Sequence, residues 1–238
     1  MAIQIIQDRI SLIILFNFIV SKIKDVLCKS CDICYKANIM KNSTVKDLIN
    51  NTDIYLVDQM LKDRYHFPEI ILDAGCGSGR NLHWFYKNEF PIYGIDQNET
   101  QIETLKRLYS NQANNFSVSK VEEFLFDNNF FNHIICIAVL HFAKNKEHFL
   151  TMFSELLRVL KPKGSLFIRV ASDIGIEDKI IPVFEGVYKL PDGTTRFLLT
   201  KVLFSELQET HDFTLLEPLK TVNVNDLRCM TTIVLQKK

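Results

Sequence analysis

ILDAGCGSGRN (residues 71–81) places three glycines within five positions, directly after a short apolar run. Gly75, Gly77 and Gly79 follow Asp73, the acidic residue that ends the run. Glycine adopts backbone angles that are closed to other residues, and it lets a ligand approach the main chain without meeting a Cβ atom. The segment therefore predicts a strand, a tight ligand-binding turn and the start of a helix.

Strand-length apolar runs alternate with helical periodicity on both sides of this turn. The predicted strands are 70–74, 91–96, 116–119, 132–140 and 165–171. The predicted helices are 81–89, 99–110 and 146–161, with a short helical turn at 121–126. The residues expected on buried helix faces are Ile102, Leu105 and Leu108, then Phe149, Phe153, Leu156, Leu157 and Leu160. This alternation predicts an α/β fold with a doubly wound, mostly parallel, seven-stranded Rossmann-like sheet.

The segments outside this alternating region are predicted separately. A helical region runs from Met40 to about Arg64, and Pro68 stops it. Residues 172–198 are predicted to form a long loop with a turn at 191–193. A helix at 200–211 is followed by strands at 213–222 and 228–238, joined by a short NVND connection. Two strands with so short a connection form a hairpin, so we expect the sheet to end in an antiparallel strand pair.

Composition narrows the classes of partner. The 238 residues suit one domain, predicted at 40–238, with an N-terminal extension at 1–39. Lys+Arg and Asp+Glu both number 28, so there is no excess positive charge to favour a nucleic acid as partner. Cys76, Cys136 and Cys229 fall in the turn or in predicted strands, which is typical of a reducing cytoplasm.

The first 39 residues differ in character from the rest. The apolar stretch 11–20 is too short for a stable membrane insertion, which needs about 20 apolar residues. Three interpretations stay open: an appended amphipathic helix, a weak surface anchor, or residues that precede a translation start at Met40. Cys28, Cys31 and Cys34 lack the fourth ligand of a cluster site, so we expect ordinary thiols and no metal.

Two acidic residues indicate the kind of ligand. Asp96 ends the second predicted strand, 17 positions beyond Gly79, where a ribose-binding carboxylate belongs in such folds. Dinucleotide sites instead use GxGxxG, with a pyrophosphate at the helix N-terminus. Asp73 before the glycines suits a ligand with a cationic amino group and no phosphate there. The pattern favours an amino-acid nucleoside over NAD, and so disfavours a nicotinamide-dependent oxidoreductase.

At these residues the chain resembles class I S-adenosylmethionine-dependent methyltransferases. ILDAGCGSGRN is similar to their first motif, and YGIDQNETQIE (93–103) to the segment with the ribose-binding acid. Residues 132–171 resemble their fourth and fifth strands with the intervening helix, so the likeness covers roughly 70–171. The loop GCGSGRN (75–81) also resembles the tellurite-resistance methyltransferase branch.

The resemblance implies S-adenosylmethionine as cofactor. Asp73, Gly75 and Gly77 would face its methionine part, with Gly79 also approached through its backbone, and Asp96 would hold the ribose beside Gln97. Lys120 stands where the family often has an adenine-binding Asp, so Val121 would offer its N–H and Glu122 would substitute as acceptor. The implied cofactor-binding residues are Asp73, Gly75, Cys76, Gly77, Gly79, Asp96, Gln97, Val121, Glu122 and Ala138. Asn132 replaces the Asp usual at that strand entrance, a change expected to affect stability.

The methyl acceptor is expected beyond the carboxyl ends of the strands, where such sheets bind ligands. His141 lies at the mouth after the fourth strand, as general base, substrate orienter or packing residue. Arg169 and Arg196 are candidate substrate-binding residues for an anionic acceptor, and Arg228 is a further candidate for that role. Asp173 follows the fifth strand, and Tyr55 and Tyr188 would contribute to a lid or pack in the core. Methyl transfer is a direct displacement that needs no nucleophilic side chain or metal. A small-molecule acceptor is the expected partner, and a non-catalytic cofactor-binding module is the alternative.

Overall fold

The computed structural model describes Asp47 and residues 49–238. The predicted extension 1–39, including the Cys28/Cys31/Cys34 run, lies outside the described residues. Five α-helices are described: α1 (Ile54–Leu61), α2 (His83–Lys87), α3 (Glu99–Leu108), α4 (Lys146–Val159) and α5 (Lys201–Thr210). The first five strands are β1 (Ile71–Ala74), β2 (Ile92–Asp96), β3 (Phe116–Val118), β4 (Phe131–Ile137) and β5 (Leu160–Ser172). The others are β6 (Ile181–Phe184), β7 (Val187–Lys189), β8 (Thr195–Phe197), β9 (Phe213–Leu215), β10 (Lys220–Val224) and β11 (Arg228–Lys237).

The main sheet has the strand order β10-β11-β5-β4-β1-β2-β3. Strands β1 to β5 are parallel, and β11 pairs antiparallel with both β5 and β10. β9 pairs antiparallel with the last residues of β11. The predicted mostly parallel, seven-stranded sheet with an antiparallel ending is confirmed.

Apolar cores cover both faces of this sheet. Ile134 and Ile135 are neighbours in β4, yet they belong to different buried clusters, because successive strand residues point to opposite faces. The cluster around Ile134 contains residues of α4 and α5, whereas the cluster around Ile135 contains residues of α1, α2 and α3. The residues predicted for the buried face of α4 are buried. Helices lie on both faces of the sheet, which is the doubly wound arrangement.

Two helix predictions are corrected. The region predicted as helical to Arg64 is interrupted before α1, where the Asp53 side chain accepts from the Tyr55 N–H and caps a new helix. Leu108, expected on the buried face of α3, is 54% exposed because α3 ends there and a 3-10 turn follows.

The predicted helical turn at 121–126 is wrong. These residues form turns and bends, because α4 supplies partners for their main-chain groups. Glu155 accepts from the Phe124 N–H at 2.9 Å, and Arg158 donates to the Phe126 carbonyl at 2.9 Å.

The strand boundaries also differ from those predicted. α4 ends at Val159, and β5 begins at Leu160 and includes Pro162 and Gly164, which were expected to precede it. β4 ends at Ile137, three residues early, since Ala138 has a positive φ of 60°.

The segment predicted as a long loop contains a small antiparallel sheet, in the order β6-β7-β8. The turn predicted at 191–193 joins β7 to β8, closed by the Leu190 N–H donating to the Thr194 carbonyl. The strand predicted at 213–222 is split into β9 and β10, with Pro218 in the break.

Polar side chains connect the strands at the edge opposite to their carboxyl ends. His133 bridges the Ser165 hydroxyl at 2.6 Å and the Glu69 carboxylate at 2.8 Å. The Asn132 Oδ1 accepts from the Ile70 N–H at 3.0 Å and from the Lys161 Nζ at 2.9 Å. These contacts hold the starts of β1, β4 and β5 together.

Replacing Asn132 tests this connection. We expect Asn132→Ala to lower the free energy of unfolding by about 1–3 kcal/mol, because two donors lose their acceptor. Asn132→Asp keeps an acceptor oxygen and should retain most of that stability. Urea unfolding measures both, and equal loss in both variants would contradict the assignment.

Candidate active site

The glycine turn packs closely against the protein at its two outer glycines and is open at the middle one. Gly75, Gly77 and Gly79 all have positive φ, at 79°, 48° and 72°. A Cβ atom on Gly75 would lie 2.3 Å from Val139, and one on Gly79 would lie 2.4 Å from Leu105. A Cβ atom on Gly77 would meet nothing within 4 Å. The outer glycines therefore fix the turn against the protein, and the middle one faces open space.

Asp96 joins the turn to the end of β2. Its Oδ2 accepts from the Gly77 N–H at 2.9 Å, and its Oδ1 accepts from the Asn98 N–H at 2.9 Å. The two main-chain donors hold the carboxylate in one orientation while each oxygen keeps a free lone pair. This geometry suits a carboxylate that accepts from two vicinal hydroxyl groups.

A cavity of about 240 Å³ lies beside this carboxylate, at the carboxyl ends of the strands. Its lining residues are Gly75, Asp96, Gln97, Ser119, Val121, Ala138, Val139 and Phe142. Five of these were predicted to bind the cofactor, and we call this space the donor cavity. Sequence reasoning missed Ser119, Val139 and Phe142. Their position directly after β3 and β4 was the available signal.

Asp73 is buried at the end of β1, with 1% of its surface exposed. Neither of its carboxylate oxygens has a hydrogen-bond partner among the described residues. Burial raises the pKa of Asp73 to about 7. A buried carboxylate without a hydrogen-bond partner is costly, so this position suits a cationic partner that the described residues do not supply.

Five predicted cofactor residues lie outside the donor cavity lining, namely Asp73, Cys76, Gly77, Gly79 and Glu122. The Cys76 side chain is buried in the core with Leu82 and Phe85, so the thiol points away from the turn. Glu122 lies 3.2 Å from the His148 Nε2, so its carboxylate already has a partner. The Gly79 carbonyl accepts from the Tyr109 hydroxyl at 2.9 Å and backs onto α3.

A second cavity, of about 370 Å³, adjoins the first, and we call it the acceptor cavity. Its polar lining residues are Asp53, Arg80, His141, Arg169, Asp192, Thr194, Arg196 and Arg228. Its apolar lining residues are Ile137, Ala138, Ala171, Leu190, Val222, Val224, Cys229 and Met230. Ala138 lines both cavities.

His141 lies in the 3-10 turn that follows β4, and it is 8% exposed. Its Nδ1 has no hydrogen-bond partner among the described residues. Burial, followed by the charge of Arg196, lowers the pKa of His141 to about 4. The imidazole is therefore neutral near pH 7 and accepts hydrogen bonds.

Both predicted arginines, Arg169 and Arg196, line the acceptor cavity, but their guanidinium groups have different partners. Arg169 forms an ion pair with Asp53, and its guanidinium lies 4.5 Å from the ring centre of Tyr55. Arg196 lies over the Phe142 ring at 5.0 Å and donates to the Thr195 carbonyl. Asp173 and Tyr188 are not part of this lining; Tyr188 borders a separate groove with Leu203.

Residues 72–168 match the family described as "Methyltransferase domain". The putative methyltransferase YqeM of Bacillus subtilis (strain 168) is 32% identical over 126 residues, which are 52% of this chain and 47% of that protein. This region of the chain is therefore similar to a methyltransferase domain.

Solved structures share the fold of this chain. The PH0226 protein from Pyrococcus horikoshii OT3 has a TM-score of 0.62 at 19% identity, covering 84% of this chain and 99% of that one. The Burkholderia thailandensis 1,6-didemethyltoxoflavin-N1-methyltransferase, with bound 1,6-didemethyltoxoflavin and S-adenosylhomocysteine, has a TM-score of 0.57 at 18% identity, covering 92% and 90%.

This chain spans about half the length of the curated relatives that it matches. The comparisons favour neither a non-catalytic module nor a nicotinamide-dependent enzyme. The narrower resemblance to the tellurite-resistance branch stays a prediction. Across the described part of the chain, no helix combines the length and apolar character needed to cross a membrane.

The residues in and around the donor cavity suit the predicted cofactor, S-adenosylmethionine. Asp73 offers two unpaired carboxylate oxygens for an ammonium group, and Asp96 offers two oriented oxygens for a ribose. Gly77 leaves room for a ligand beside the main chain. These observations support the predicted roles of the three residues.

Replacing Asp96 tests the ribose assignment. We expect Asp96→Ala to weaken S-adenosylhomocysteine binding about 10- to 100-fold, because a charged hydrogen-bonding group contributes about 1.5–3 kcal/mol. Asp96→Asn keeps an acceptor for the Gly77 N–H and should lose less. Calorimetric titration measures both. The exposed Asp127→Ala is the control, and unchanged affinity in Asp96→Ala would refute the role.

The raised pKa of Asp73 predicts a pH dependence of cofactor binding. An ammonium group favours the ionised carboxylate, so binding below pH 7 releases the proton that the free protein holds. S-adenosylhomocysteine affinity should then rise about tenfold per pH unit below 7 and level off above it. Calorimetry from pH 5.5 to 8 checks this, and Asp73→Asn should bind more weakly with a flat profile. A pH-independent wild type would contradict the expected ammonium contact.

Proposed function

We propose that this chain transfers the methyl group of S-adenosylmethionine to a small molecule held in the acceptor cavity. The observation that carries the proposal is that Ala138 lines both cavities. A donor and an acceptor bound on either side of one small side chain lie close enough for direct transfer. Holding two reactants in this way supplies much of the acceleration of a bimolecular displacement.

The backbone at Ala138 separates the two cavities. Its φ is 60°, a conformation uncommon for residues other than glycine, and its N–H donates to the Arg169 carbonyl at 2.9 Å. The chain leaves the sheet at this point, so Val139 packs towards Gly75 while His141 enters the acceptor cavity. Strained residues of this kind concentrate at functional sites.

The residues of the chain bind, orient and desolvate the reactants. The cofactor supplies an electrophilic methyl group when bound. Asp73 and Asp96 would anchor its two polar ends and so fix the direction of the methyl group. The neutral His141 imidazole would accept a hydrogen bond from the protonated heteroatom of the acceptor and turn that atom towards Ala138. Ile137, Ala171 and the other apolar lining residues exclude water.

The size of the acceptor cavity supports a small-molecule acceptor. Its volume of about 370 Å³ lies within the range of roughly 300–1,000 Å³ found for small-molecule sites. The same fold holds 1,6-didemethyltoxoflavin together with S-adenosylhomocysteine in the Burkholderia thailandensis enzyme. The chain carries no net charge that would favour a nucleic acid instead. The cytoplasmic location inferred from the cysteines stays a prediction.

A fractionated cell extract tests the proposal. The protein is incubated with S-adenosylmethionine and either the low-molecular-weight or the macromolecular fraction, and S-adenosylhomocysteine formation is measured. We expect turnover with the low-molecular-weight fraction. Val222→Trp, which fills the acceptor cavity, should abolish turnover and leave cofactor affinity unchanged. Val183→Trp, on an exposed site outside both cavities, is the matched control.

Two outcomes would contradict the proposal. Turnover with the macromolecular fraction alone would indicate a protein or nucleic-acid acceptor. Full turnover in Val222→Trp would show that the acceptor does not occupy this cavity.

A further inference from the structure

The acceptor cavity carries an excess of positive charge. Four arginines and two aspartates line it, and the buried His141 is neutral near pH 7. The chain as a whole has equal numbers of positive and negative side chains. The positive charge is therefore a local property of this cavity.

Arg169 does not account for this excess. Its ion pair with Asp53 compensates its charge, and the Tyr55 ring covers the guanidinium. Only 14% of the Arg169 side chain and 5% of the Asp53 side chain are exposed. A buried pair of this kind is costly to separate, so Arg169 positions the start of α1 and is not the anchor for a ligand.

Arg196 and Arg228 are much less compensated. In the part of the chain that the structure describes, Arg196 forms no ion pair, and its described partners are a carbonyl and the Phe142 ring. Arg228 has one carboxylate neighbour, Asp192, at 4.0 Å. That Asp192 carboxylate already accepts from the Thr194 N–H at 2.9 Å and from its hydroxyl at 2.6 Å.

Both guanidinium groups lie near the Asp192 carboxylate, that of Arg228 at 4.0 Å. Hydrogen bonds from Thr194 lower the pKa of Asp192, and the nearby charges of Arg228 and Arg196 lower it further. Arg196 also lies close enough to His141 to lower the pKa of that imidazole. The cavity thus has a cationic end next to a neutral hydrogen-bond acceptor, and the remaining lining is mainly aliphatic.

We infer that the methyl acceptor is a small organic acid, whose carboxylate or phosphate group binds between Arg196 and Arg228 and whose apolar part contacts Val222, Leu190 and Met230. This inference rests on the proposed function and names the substrate class for it. Guanidinium groups bind oxyanions through paired, charge-assisted hydrogen bonds. A cationic acceptor would be repelled, and a neutral one would leave the cationic end without a counterion.

Binding of simple aromatic probes to the full chain saturated with S-adenosylhomocysteine tests the inference. The probes are benzoate, phenyl phosphate, benzamide and benzylamine, titrated calorimetrically at millimolar concentrations. At least one of the two anions should bind saturably, and the neutral amide and the cationic amine should not. Benzoate and phenyl phosphate distinguish a carboxylate from a phosphate as the preferred group.

Variants locate the binding site. Arg196→Gln should weaken anion binding about tenfold or more, and Arg228→Gln should also weaken it. Arg196→Lys keeps the charge and should retain part of the affinity. Arg107→Gln, on the exposed face of α3, is the matched control. All variants should bind S-adenosylhomocysteine as the wild type does.

The inference would be overturned if neither anion bound, if benzamide bound as tightly as benzoate, or if Arg196→Gln left anion affinity unchanged. The first titration, with S-adenosylhomocysteine alone, distinguishes a failure of the proposed function from a failure of the inferred substrate class. A protein that does not bind this nucleoside fails the proposed function itself. A protein that binds it without any preference for anions fails only the inferred substrate class.

Discussion

The hydrogen bond from the Gly77 N–H to the Asp96 carboxylate is the constraint on which the donor cavity depends. It connects the turn after β1 to the end of β2, two elements that lie 19 residues apart in the sequence. The bond gives the turn its shape and gives the carboxylate its direction. This one bond therefore accounts for both the open face at Gly77 and the oriented oxygens of Asp96.

Local sequence signals predicted this part of the molecule well. Three glycines in five positions indicate a tight turn, because glycine adopts backbone angles closed to other residues. Asp96 comes at the end of a predicted strand, so its carboxylate was expected at the carboxyl edge of the sheet. The alternation of apolar strands with helices predicted the sheet, because buried parallel strands must be apolar along their length. Ala138 was predicted to bind the cofactor and lines the donor cavity, although its positive φ had no signal in the sequence.

Contacts between distant segments could not be predicted in this way. Glu122 was predicted as an adenine partner, and only the fold shows that it lies beside His148. Arg169 was interpreted as a ligand residue, and only the position of Asp53 shows that its charge is already compensated. The turns at 121–126 depend on Glu155 and Arg158, side chains from another helix that replace the hydrogen bonds of a helical turn.

The two cavities have walls of different origin. The donor side is built by turns after parallel strands, whereas β8, β10 and β11, which supply much of the far wall of the acceptor side, pair antiparallel outside that core. Substitutions in those outer strands can remodel one chamber while the other keeps its shape. Ala138 is the residue that both linings share, so the two sets of wall residues are otherwise separate.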